Sequence, residues 1–110
     1  MLDKQIEVAT IKFVKSIKET EVYKRYSFQL GKIKKSPELF AQVNEFRRRN
    51  YEIQNTSQVD ELFDKMELFE KEYEKFRENP IVDDFLRAEL ALCRLMQEIS
   101  EFVTSELDFE

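Results

Sequence analysis

Gly31, Pro37 and Pro80 are the only glycine and the only prolines in this chain of 110 residues. With so few breakers, helix is favoured nearly everywhere else, and helix ends must be set by capping residues and by shifts in apolar phase. No alternating run rich in Val, Ile and Thr is bounded by turn residues, so strands are not expected. The length suits one domain, 1–110, and the pattern predicts an all-α protein of about five helices, a helical bundle or long α-hairpin completed by dimerisation. The helices are expected near 3–18, 21–35, 37–54, 58–78 and 80–105.

Each boundary has a chemical reason. Asp3 can cap the first helix, whose stripe is Leu2, Ile6, Ala9, Phe13 and Ile17. The period lapses at Glu19-Thr20-Glu21, and Thr20 can cap a second helix striped by Val22, Tyr26, Leu30 and Ile33. Gly31 lies inside that helix and weakens it by roughly 1 kcal/mol relative to Ala. Ser36-Pro37-Glu38 is a third start: a capping hydroxyl, a proline at the first helical position, and an acid at the positive end of the helix dipole. Leu39, Val43, Phe46 and Ile53 follow on one face. Continuing that phase would put apolar residues near 57 and 60, where Ser57 and Asp60 stand, so a break is expected at Asn55-Thr56-Ser57-Gln58. Ser57 and Asp60 are spaced as a capping box.

The pattern is sharpest between Val59 and Val103. Val59, Leu62, Met66, Phe69, Tyr73 and Phe76 form a seam at heptad spacing, with Glu61, Asp64, Glu67, Glu70, Glu72 and Glu74 on the other faces. Those acids read as a solvated face. A di-iron arrangement would need His three residues after an inward Glu, and the chain has no His. Asn79-Pro80 repeats the cap-then-proline start. The last helix carries Phe85, Ala88, Leu92, Met96, Ile99 and Val103 on one stripe, and Leu90, Ala91, Cys93, Leu95 and Phe102 beside it. So wide an apolar circumference calls for cover from more than one side.

Absences narrow the chemistry. No His removes the commonest general base and transition-metal ligand, and the lone Cys93 removes both a disulfide and a thiolate-rich metal site within one chain. No catalytic residue, metal or cofactor is expected. Cys93 itself reads as a small buried apolar residue. The first residues lack the apolar core of a signal peptide, and no uncharged run reaches the roughly 18 residues of a membrane span. A cytoplasmic protein without membrane insertion is the plain reading. The charge is uneven: residues 1–50 hold 12 Lys and Arg against 6 Asp and Glu, and residues 51–110 hold 6 against 17. A basic half beside an acidic half, within or between chains, accounts for this.

Two blocks carry a resemblance. One runs from Glu21-Val22-Tyr23-Lys24-Arg25-Tyr26 through Leu30 to Ser36-Pro37-Glu38-Leu39 and Phe46-Arg47. The other is Tyr73-Glu74-Lys75-Phe76-Arg77-Glu78-Asn79-Pro80-Ile81-Val82, then Phe85-Leu86-Arg87-Ala88-Glu89 and Leu95-Met96-Gln97-Glu98-Ile99. In order and spacing these resemble the YlbF/YmcA family of small helical bacterial regulators. The resemblance implies a non-enzymatic, all-helical protein that forms homodimers or heteromers with related helical proteins. It also implies a part in competence, sporulation or biofilm control, and a complex with an endoribonuclease. Some members hold iron–sulfur clusters through cysteines; with Cys93 alone, several chains would each have to supply a thiolate.

Three functional expectations follow. The first is an interaction surface built from Phe85, Leu92, Met96, Ile99 and Val103, supported by Phe69 and Phe76. The second, weaker, is RNA binding by the basic patch Lys32, Lys34, Lys35, Arg47, Arg48 and Arg49, with Tyr23, Tyr26, Phe40 and Tyr51 available to stack bases. An overall pI of about 5.0 and the aromatics' place on core stripes count against nucleic acid. The third and most remote is a helical enzyme of chorismate mutase type, using Arg47, Arg87 and Arg94 as inward cations.

Overall fold

A computed structural model describes residues 1–108, and among these the chain is all-helical with no strand. Six helices follow one another: α1 (Lys4–Lys18), α2 (Glu21–Lys34), α3 (Pro37–Thr56), α4 (Val59–Glu72), α5 (Glu74–Glu78) and α6 (Pro80–Glu106). None of them is long and apolar enough to cross a membrane.

The starts are made largely by the side chains that the sequence offers. Asp3 Oδ1 accepts from the amides of Gln5 and Ile6 at 2.9 and 3.2 Å, and Thr20 Oγ1 accepts from the Tyr23 amide at 3.1 Å. Asn79 Oδ1 accepts from the Ile81 amide at 3.0 Å and opens α6. Asn79→Ala should therefore cost about 1 kcal/mol, read as a lower urea midpoint at unchanged slope.

Two caps differ from expectation. Ser36 precedes Pro37 but its side chain makes no capping bond, leaving the fixed φ of proline to set that start. The capping box of Ser57 and Asp60 is not formed. Ser57 and Gln58 are both extended, and α4 begins one residue later than the box requires, with the Glu61 and Leu62 amides bonded to the Gln58 carbonyl.

The expected helix 58–78 is two. Its backbone departs from helix at Tyr73 (φ −101°, ψ 11°) without any breaker in the sequence. There the Tyr73 ring lies edge-on to both Phe46 and Phe76, at 5.2 and 5.7 Å between centroids. Gly31 stays within α2 on ordinary helical geometry, and a Cβ at that position would meet nothing within 4 Å. Gly31→Ala should stabilise the protein by about 0.5–1 kcal/mol, measured by thermal or urea unfolding.

The chain divides into two compact units, Leu30–Leu86 and Met1–Gln29 with Arg87–Glu110. The first contains a conventional core. Ile33, Val43, Val82 and Phe85 are fully buried there, and Phe69 nearly so. Phe46 from α3 stacks on Phe69 from α4 at 5.1 Å and 23°, and Tyr73 and Phe76 complete the cluster. The second unit holds α1 and most of α2 and α6. Within it, α1 buries no residue at all.

Candidate protein-interaction surface

The expected interface residues fall into two groups. Phe69 and Phe85 are inside, committed to the core of Leu30–Leu86, and Phe76 is half-buried in the aromatic cluster. Leu92 and Ile99 are half-buried on α6, whereas Met96 and Val103 are exposed by 45% and 46%. A stripe read from periodicity thus runs from core at Phe85 to open surface at Val103. The difference is what lies over each part, which periodicity does not encode.

Side chains that the sequence reading left out of the interface extend this open surface. On α6 they are Leu90, Phe102 and, just beyond it, Leu107. On α1 they are Ile6, Val8, Ile11, Phe13 and Val14, with Leu2 just before it, all exposed. Phe13 shares an apolar groove with Leu95, Ile99, Phe102 and Val103, with Glu98 at its edge. Leu2, Thr10, Ile11 and Val14 line a second groove on α1, bordered by Glu7, Lys15 and Lys18. The signal was present in the sequence: Val8, Ile11 and Val14 recur at threes beside the main α1 stripe. Cys93 is exposed rather than buried, because it sits off the α6 stripe where this chain supplies no cover.

The basic patch is largely spoken for. Arg48 is paired with Glu45 and Glu52, four residues or fewer away on α3. Arg49 crosses to α4, donating to Glu72 Oε1 at 2.6 Å and to the Tyr73 hydroxyl at 3.2 Å while lying over the Phe69 and Tyr73 rings. Arg47 donates to Asn44 and lies 5.1 Å over the Phe85 ring. Lys32, Lys34 and Lys35 are exposed at the end of α2, with Lys34 5.8 Å over Phe40. Arg47 and Arg49 therefore tie α3 to rings of other helices, while Arg48 is held by carboxylates of α3 itself. Nor is the set of inward cations assembled, since Arg87 and Arg94 are exposed on α6.

The hydrogen bond from Arg49 holds the Glu72 carboxyl below its ordinary value of 4.5. A carboxyl lowered in the folded state contributes stability that is complete above its unfolded pKa and is lost as pH falls through the folded one. Carboxyl titration followed by NMR should show Glu72 titrating late on acidification, and Arg49→Ala should return it to the ordinary range. Glu72→Gln should remove that part of the acid destabilisation below about pH 4.5.

No group of three or more His, Cys, Asp or Glu able to hold a metal ion occurs among the described residues. Helices whose apolar stripes are covered in part and open to solvent in part, with cations lying over rings, define a small all-helical protein. The particular family follows from comparison. Residues 6–108 match the family described as control of competence regulator ComK, YlbF/YmcA, and the chain belongs to that family. It is also similar to a UPF0342 protein of Caldicellulosiruptor bescii, 22% identical over 97 residues, which cover 86% of this chain and 82% of that protein. No solved structure matches it.

Proposed function

We propose that this protein is a non-enzymatic regulator of the YlbF/YmcA type that acts by helix–helix association with other proteins, in the control of competence. One observation supports this above the rest. The apolar faces of α1 and of the last turns of α6 stand open to solvent, with Ile11 exposed by 62% and Phe102 by 66%. Contiguous apolar surface of this kind on a small protein marks a place where another protein binds. The engagement of Arg48 and Arg49 by carboxylates favours this reading over RNA binding, which would rely on the exposed lysines at the end of α2.

The test is genetic. In the host strain lacking this gene, wild-type protein should restore transformation frequency, and the Met96→Glu, Val103→Glu double variant should restore little of it at equal protein level. Full restoration by the double variant would remove the reading.

A further inference from the structure

We propose that α1 docks on an anionic lipid surface, through the face opposite its Phe13 stripe. The occupant is a leaflet of negatively charged headgroups, held by lysines and by shallow burial of aliphatic side chains.

Two stripes run back to back on this helix. Ile6, Phe13 and Ile17 hold one side, and Phe13 shares its groove with Leu95, Ile99, Phe102 and Val103 of α6. Lys4, Val8, Ile11, Lys15 and Lys18 are spaced 4, 3, 4 and 3 and hold the other. At about 100° per residue the two sets point roughly half a turn apart. Lys12 and Val14 flank the second stripe. Its side chains are all in solvent, Ile11 by 62%, Val8 by 49% and Val14 by 41%. Ile11 and Val14 line a groove bordered by Lys15 and Lys18, to which no other helix contributes.

A merely solvated face gains nothing from β-branched residues, which are poorer helix formers than the straight polar chains that suit such positions. The four lysines face a single acid on α1, Glu7, and among the described residues none of them is ion-paired within the chain. Aliphatic residues set among lysines suit a helix that lies in a membrane interface. There the aliphatic groups sink to the headgroup boundary, and the lysine stems follow them while the ammonium groups stay at the phosphates. The contact is with one leaflet, since none of the helices is long and apolar enough to cross.

The residue types select lipid among anionic partners. Protein interfaces are enriched in Arg, Tyr, Trp, Phe and Met and depleted in Lys. This face has none of those five. Nucleic acid would be stacked on aromatic rings or arginine planes, also lacking here, and would gain nothing from Val8, Ile11 and Val14. Lysine is a point charge on a flexible stem, suited to phosphates that move in the plane of a bilayer. The net charge of −5 rules out bulk attraction as the source of binding, which must come from α1 itself.

Co-sedimentation of the full chain with lipid vesicles tests this. Vesicles of phosphatidylcholine mixed with phosphatidylglycerol should pellet the protein at low salt, and phosphatidylcholine alone should not. High salt should release it, because exposed charges are screened. Lys4→Glu combined with Lys12→Glu should weaken binding by about 100-fold or more at unchanged helicity, at about five-fold per unit charge near such a surface. Lys32→Glu combined with Lys35→Glu makes the same change in net charge and should leave binding as it was. The chain has no Trp, so Ile11→Trp supplies a sole emitter whose fluorescence should shift to the blue on the anionic vesicles. Phe63→Trp, at a 76% exposed position on α4, should not shift. Failure to pellet with anionic vesicles at low salt would overturn the proposal, as would equal pelleting with both kinds of vesicle. So would equal losses in the two charge-reversal pairs, or an unshifted Ile11→Trp. Single-stranded RNA bound through Lys4 and Lys12 without vesicle binding would overturn it in favour of nucleic acid. Each of these outcomes is separate from the regulatory reading, whose test is transformation with Met96 and Val103 altered.

Discussion

Phe85→Ala is expected to destabilise the protein by about 3–5 kcal/mol, the usual cost of emptying a buried phenylalanine site. Phe85 is wholly inaccessible, and the Arg47 guanidinium sits 5.1 Å above its ring. The substitution therefore removes apolar contacts, leaves a cavity, and takes away the aromatic face that half-buried Arg47 rests on. The cation–π contact alone is worth about 0.5–2 kcal/mol. Against a typical domain stability of about 5–15 kcal/mol, the variant should have a sharply reduced urea midpoint or fail to fold at 37 °C. Phe85→Leu keeps most of the volume and should lose less, which keeps the experiment readable if the alanine variant is unfolded. Protein concentration must be matched across variants, because any self-association contributes to apparent stability. A loss below about 1 kcal/mol for Phe85→Ala would mean that the site closes over the missing ring, contrary to the packing described.

The second large effect is expected at Phe69, with its sequence neighbour as control. Phe69 is 3% exposed, stacks on Phe46 across α3 and α4, and touches Tyr73 at 4.8 Å between centroids. Arg49 lies 5.6 Å over the same ring. Phe69→Ala should cost about 3–5 kcal/mol, since one ring joins Phe46, Tyr73 and Arg49. Leu68 is 69% exposed, so Leu68→Ala should fall within about 0.5 kcal/mol of wild type. Parallel urea melts of the two variants test the rotational setting of α4 directly. Comparable losses at both positions would show that the helix is turned otherwise.

Much of the fold was legible because helix starts are local events. The starts at Lys4, Glu21 and Pro80 use Asp3, Thr20 and Asn79, each reaching amides two or three residues along the chain. The break after Thr56 was legible as a phase shift between two apolar stripes. The distortion at Tyr73 was not, because it accompanies a ring cluster whose members come from α3, α4 and α5. The same reason explains the basic patch. Lys32, Lys34, Lys35 and the three consecutive arginines look alike as charge, but Arg49 meets Glu72, a carboxylate that only the packing of α3 on α4 places beside it, and the three lysines are exposed.

For the exposed apolar surface, the sequence by itself determined that helices of this chain carry apolar residues on more of their circumference than solvent favours. It also determined that the chain has no His and, with Cys93 alone, no disulfide or thiolate cluster of its own. Periodicity fixes which residues share a face, because it follows from 3.6 residues per turn and nothing else. Only the tertiary structure decided which lengths of each stripe are covered. Phe85 and Val103 belong to one continuous α6 stripe, yet the first is core and the second is 46% exposed. Likewise α1, striped by Ile6, Phe13 and Ile17, buries nothing within the chain. Burial depends on what packs opposite, a non-local fact that the spacing of side chains along one helix does not contain.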